Sequence, residues 1–142
     1  VGDCEIVDEA GKPIQHSIKA YKKWWRSVLS WQVLSVLNPI PQPAVVMRLE
    51  AVRKVGLFNQ KLKFTMDYEY WLRLWRCVGK PVRIDQSIAA FRIHGKSKGS
   101  TQFDRQFSEQ FEVARAQGVA TPWLLLQSVH NKVITSIYSL IK

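Results

Sequence analysis

Pro39, Pro41 and Pro43 alternate with Asn38, Ile40 and Gln42, and no other stretch of the chain restricts its backbone so severely. Each ring fixes φ and pushes the residue before it towards extended geometry, so 38–43 cannot be helical. A helix arriving from the N-terminal side must therefore end before Asn38. Upstream, Tyr21, Trp24, Trp25, Val28, Leu29, Val33, Val36 and Leu37 recur at spacings of three and four. That pattern predicts one amphipathic helix over 18–37, with Lys19, Lys22, Lys23 and Arg26 in its basic first half. Downstream, a strand is expected over 44–48, a short helix over 50–55 closed by Gly56, and a loop over 57–60.

The same reading extends to both ends of the chain. Residues 1–7 favour a strand, and the Gly11 and Pro13 that follow mark a turn with an extended return. Thr65 or Asp67 can cap a helix running to about Val78, where Gly79, Lys80 and Pro81 stop it. Short strands are expected over 82–84 and 88–93, a basic loop over 94–101, and helices over 102–117 and 122–141 with Gly118 between them. In the last helix Leu126, Val129, Val133, Ile137 and Leu140 form a stripe with polar residues opposite. Core packing or a partner helix is the expected use of that stripe, and a membrane surface is the alternative.

A chain of 142 residues has room for one domain, and its 46% hydrophobic content argues against disorder. The formal charge of +10 creates a field that attracts nucleic acid, acidic lipid head groups or phosphorylated ligands without choosing among them. Cys4 and Cys77 give neither a disulfide framework nor a metal-type spacing, which suits a reducing compartment. No apolar run approaches the roughly 20 residues of a spanning helix, and there is no signal pattern. A start at Val1, inside a strand and without Met, suggests a piece of a longer protein.

The richest chemistry lies in 66–74. Asp67 stands at a helix start, where the dipole favours an ionised carboxylate able to accept a proton from a hydroxyl. A plain helix cap is its bland alternative. Glu69 and Arg73, four apart, read as an exposed helix pair. Tyr70, Trp71, Leu74 and Trp75 read as the buried face, whereas Tyr68 is free to line a pocket. Arg92 and His94 alternate on an extended segment and project to one side, leading into Lys96 and Lys98; a diphosphate or its metal is a sensible target. Gln42, held between two prolines, can offer its amide to a ligand. Surface His and polar-turn readings stand beside these. Cations and indoles interleaved over 21–31 suit a membrane surface, stacked bases or simply a core helix with a basic face.

Taken in order, Gly2-Asp3, Ile6-Val7-Asp8 with Gly11, the run 42–48, the run 55–59, the run 66–74 and the run 88–94 with Ser97 resemble the C-terminal half of family 2 glycosyltransferases with the GT-A fold. The resemblance implies an α/β fold: a partial GT-A-like mixed sheet with flanking helices, lacking the N-terminal nucleotide-binding βαβ half. It divides the chain into an acceptor-side portion, 1–100, and a C-terminal helical extension, 101–142. It implies transfer of a sugar from a nucleotide-sugar donor to a saccharide or lipid-linked acceptor hydroxyl, with inversion and with Asp67 as base. Such enzymes serve glycan biosynthesis, here expected in a bacterial cell envelope.

Gln42, Tyr68, Glu69, Arg92 and His94 fall where that resemblance puts substrate contacts, and His94 is also a candidate ligand for a divalent Mg²⁺ or Mn²⁺. The family's Asp-x-Asp motif is absent, so this portion is not expected to turn over a donor alone. A cytoplasmic place, with peripheral contact at the inner membrane face and no nucleic-acid partner, is expected. The rival reading is a non-catalytic basic module that binds nucleic acid or an anionic membrane.

Overall fold

A computed structural model describes residues 1–94 and 103–141, with the side chains of 138–141 excepted. The elements run β1 (Asp3–Val7), α1 (His16–Ser27), α2 (Trp31–Val36), a 3₁₀ turn (Gln42–Ala44), α3 (Leu49–Val55), α4 (Met66–Val78), β2 (Ser87–Arg92), α5 (Phe103–Ala116) and α6 (Thr121–Ile141). The class is α/β, as expected. The sheet is smaller than expected: two parallel strands, β1 and β2, paired from Asp3 with Ser87 to Val7 with Arg92.

The mixed sheet is thus corrected, and its missing strands have identifiable fates. Segment 82–84 runs beside the N-terminus through two bonds, from the Val1 amine to the Val82 carbonyl and from Ile84 N to the Val1 carbonyl, too few for a ladder. Segment 44–48 reaches β1 through one bond, from Gly2 N to the Ala44 carbonyl, at 2.9 Å. Gly2 is required there because a Cβ would stand 2.6 Å from Ile88 and 3.1 Å from the Gln86 carbonyl. The expected extended return after β1 shrinks to a single antiparallel bridge between Val7 and Pro13, closed by the Asp8 carboxylate accepting from Lys12 N.

The helix expected over 18–37 is two helices. Ser30 takes extended geometry and accepts a bond from Val33 N, capping α2 and stopping α1. The break turns the chain between Leu29 and Leu34, and both are buried. The prolines exclude an α-helix as expected, yet they admit one 3₁₀ turn: Ala44 N bonds the Pro41 carbonyl. Pro43 sits within the first turn of that element, where a missing N–H leaves nothing unpaired. Gly56 and Gly79 end α3 and α4 as expected, with φ of 84° and 94°, values that side chains rarely adopt.

The core gathers on α4. Tyr70, Trp71 and Leu72 pack with Leu34 of α2, Val113 of α5 and Leu124 of α6, so one hydrophobic cluster spans both sides of residue 100. Burial at roughly 25 cal/mol per Å² of apolar surface makes such a cluster the main source of stability. The consequence is a fixed platform for the start of α4. The basic loop expected over 94–101 falls, from residue 95 on and with Lys96, Ser97 and Lys98, outside the described residues.

Candidate active site

The start of α4 is held by a carboxylate from elsewhere in the chain. Glu109 of α5 accepts from the backbone N–H groups of Lys63, Phe64 and Thr65, and from the Thr65 hydroxyl, at 2.7–3.1 Å. Burial alone would raise its pKa, but these donors together outweigh burial and hold it below the usual carboxylate range. Thr65 therefore spends its hydroxyl on Glu109 and does not cap the helix with it. Asp67 is left available for other work.

Asp67 is half-buried, and its two oxygens have different partners. Oδ1 accepts from Tyr68 N at 2.8 Å, and Oδ2 accepts from the Asn38 amide at 3.0 Å. Asn38 is itself fixed, because its Oδ1 accepts from Ile40 N inside the proline segment. On the next layer Arg26, buried in α1, donates to the Pro39 carbonyl at 2.9 Å and to the Asp3 carboxylate at 2.7 Å. The rigidity imposed by the prolines is thus passed to one carboxylate oxygen.

Burial raises the pKa of Asp67; the Tyr68 N–H, the Asn38 amide and the positive charge of Lys22 oppose the rise without cancelling it. This corrects the expectation that the helix dipole decides its ionisation. Desolvation by burial is the larger effect. Desolvation by the surrounding protein lowers the pKa of the Lys22 ammonium, against the pull of Asp67. A carboxylate with a raised pKa beside an ammonium can accept a proton and favour an anion nearby.

The other expected site residues are distributed. Tyr68 is buried; its hydroxyl donates to the Ser35 carbonyl and accepts from the Gln127 amide. Glu69 is buried too, so the expected exposed pair is corrected. Arg73 grips it through Nε and a terminal nitrogen at 2.7 and 2.8 Å, while also donating to the Val55 and Leu57 carbonyls. Gln117, just past the end of α5, completes its shell. Gln42 is exposed on the 3₁₀ turn. Arg92, at the end of β2, donates to the Asp8 and Glu9 carbonyls, and His94 is exposed just beyond it.

Among the described residues no three His, Cys, Asp or Glu side chains converge on a point, so these residues do not by themselves fit the expected metal. Sequence reasoning overlooked Asn38 and Glu109 as parts of the site and gave Lys22 no role in it. Asn38 was signalled by its place before Pro39, and Lys22 by its four-residue spacing from Arg26. Glu109 carried no local signal.

Over 109 residues, 76% of this chain, the sequence is 26% identical to a protein of Rickettsia conorii named an uncharacterized glycosyltransferase. The likeness supports a glycosyltransferase relationship. The chain spans 18% of that relative's length. No family model matches the chain, and no solved structure matches it.

Proposed function

We propose that this chain is the acceptor-side portion of an inverting, nucleotide-sugar-dependent glycosyltransferase of family 2 type with a GT-A fold, and that Asp67 is its general base. The observation that carries the reading is the setting of Asp67: half-buried, raised in pKa, and oriented by Tyr68 N and by an Asn38 that the proline segment immobilises. The ordered motifs and the Rickettsia relative support the class.

The acceptor O–H gives its proton to an Asp67 oxygen as the acceptor oxygen forms a bond to the anomeric carbon. The bond from that carbon to the donor's phosphate oxygen breaks, and its electron pair leaves with the nucleoside diphosphate. Lys22 supplies positive charge beside Asp67, and general-base assistance of this kind contributes about 10²–10⁴-fold. Gln42, Arg92 and His94 contact substrate from the β1–β2 side, and Tyr68 and Glu69 act by holding the first turn of α4.

The test is to incubate the intact enzyme carrying this segment with a panel of nucleotide sugars and hydroxyl acceptors. Acceptor-dependent release of nucleoside diphosphate, with the product anomer inverted by NMR, is expected. Consumption of no nucleotide sugar, or a product with retained configuration, overturns the proposal.

A further inference from the structure

α6 is turned the opposite way from the expectation that its apolar stripe packs on the core. Its inward face carries Gln127, 0% exposed, and Asn131, 7% exposed; Gln127 donates to the Ser35 carbonyl at 3.0 Å and to the Tyr68 hydroxyl at 3.1 Å. Its outward face carries Leu126 at 47%, Val129 at 58%, Val133 at 51% and Ile137 at 45% exposure. Leu140, expected in the same stripe, falls outside the described side chains. A helix that buries its amides and shows water a stripe of branched aliphatics calls for an apolar neighbour.

The apolar surface continues onto α1. Tyr21 bonds His130 of α6 at 2.7 Å with the two rings stacked; Trp25 packs edge-on to Tyr21, and Trp24 packs edge-on to Trp25. At the end of this chain of rings Trp24 is 58% exposed. Neither helix contains an Asp or Glu, and Lys132 stands exposed beside Val133. Among the described residues no helix is long and apolar enough to cross a membrane.

We infer that the outer face of α6, continued by Trp24, lies in the plane of an anionic lipid bilayer. An outer helix face that is apolar, edged by an indole, and charged only by the exposed Lys132, the α1 cations Lys19 and Lys23 being paired with Glu5, Asp3 and Asp85, matches the interface between acyl chains and acidic head groups. A protein partner would have the same apolar appetite but no need for the absence of acid. In this arrangement Val129 and Val133 enter the acyl boundary and Lys132 extends its ammonium to the phosphates. The inference stands apart from the catalytic reading, since no group of the Asp67 site takes part.

Flotation of the chain with phosphatidylcholine vesicles, with and without phosphatidylglycerol, tests it. The chain is expected to float with the phosphatidylglycerol-containing vesicles and to stay behind with the neutral ones. Val129→Asp with Val133→Asp should weaken flotation at least about tenfold, and Lys132→Gln about fivefold. Both changes fall on exposed positions and should leave the circular-dichroism melt in place. Should the double variant melt early, Lys132→Gln still decides.

No flotation on any vesicle, or equal flotation on neutral ones, overturns the inference. So does self-association in lipid-free buffer that the double variant abolishes, which would make a second copy the occupant.

Discussion

α4 and α6 are both amphipathic, and they use their apolar stripes in opposite ways. α4 turns Tyr70, Trp71 and Leu72 inward and holds its one buried acid, Glu69, with Arg73 and Gln117. α6 turns Gln127 and Asn131 inward and leaves Val129, Val133 and Ile137 in solvent. The period of a pattern locates a stripe but carries no information about which side the core occupies. That is decided by what already stands at the interface, here a Tyr68 hydroxyl and a Ser35 carbonyl needing partners, which Gln127 supplies and a leucine would not.

The sharpest way to break this contrast is to truncate α4. Leu72→Ala, at a position with 0% exposure, should cost about 2–5 kcal/mol in chemical denaturation. Next comes Glu109→Ala, which strips three amides of their acceptor and should cost about 1–3 kcal/mol. The sign of its pH dependence follows from the lowered pKa. Glu109 binds protons less readily folded than unfolded, so its contribution is present above the ordinary carboxylate range and lost as pH falls through its folded pKa. The variant's melting temperature should accordingly fall less on acidification than the parent's.

Asn38→Ala should cost about 1 kcal/mol and move the acid limb of the intact enzyme's rate profile to higher pH, because Asp67 loses a donor that lowers its pKa. Smallest of all, Val133→Ser on α6 should change stability by no more than about 0.5 kcal/mol, since no core contact is removed. A cost like that of Leu72→Ala would show that α6 is packed as the pattern first suggested.

Much of the fold was legible where the signal is local. The prolines ended the preceding helix, Gly56 and Gly79 closed theirs, and α3, α4, α5 and α6 fall close to their periodic segments. The failures share a cause in distant contacts. Ser30 could not announce that burial of Leu29 and Leu34 would use it as a cap, and segments 44–48 and 82–84 have strand-like composition without a partner that makes a ladder. Of the candidate site, only the acid was legible. The carboxylate of Asp67 was identifiable from its helix start, but Asn38 lies 29 residues away in the chain, and the burial that sets the pKa is a property of the fold.

One measurement tests the central claim most directly: turnover and melting temperature of Asp67→Asn, made in the intact enzyme and compared with the parent in the same buffer. Because the folded pKa of Asp67 is raised, its ionised form costs stability as pH rises through that window, and the amide removes the cost. The expected result is turnover reduced by at least about 10²-fold with a melting temperature equal to or above the parent's. Turnover close to the parent's in a folded Asp67→Asn enzyme would contradict the account.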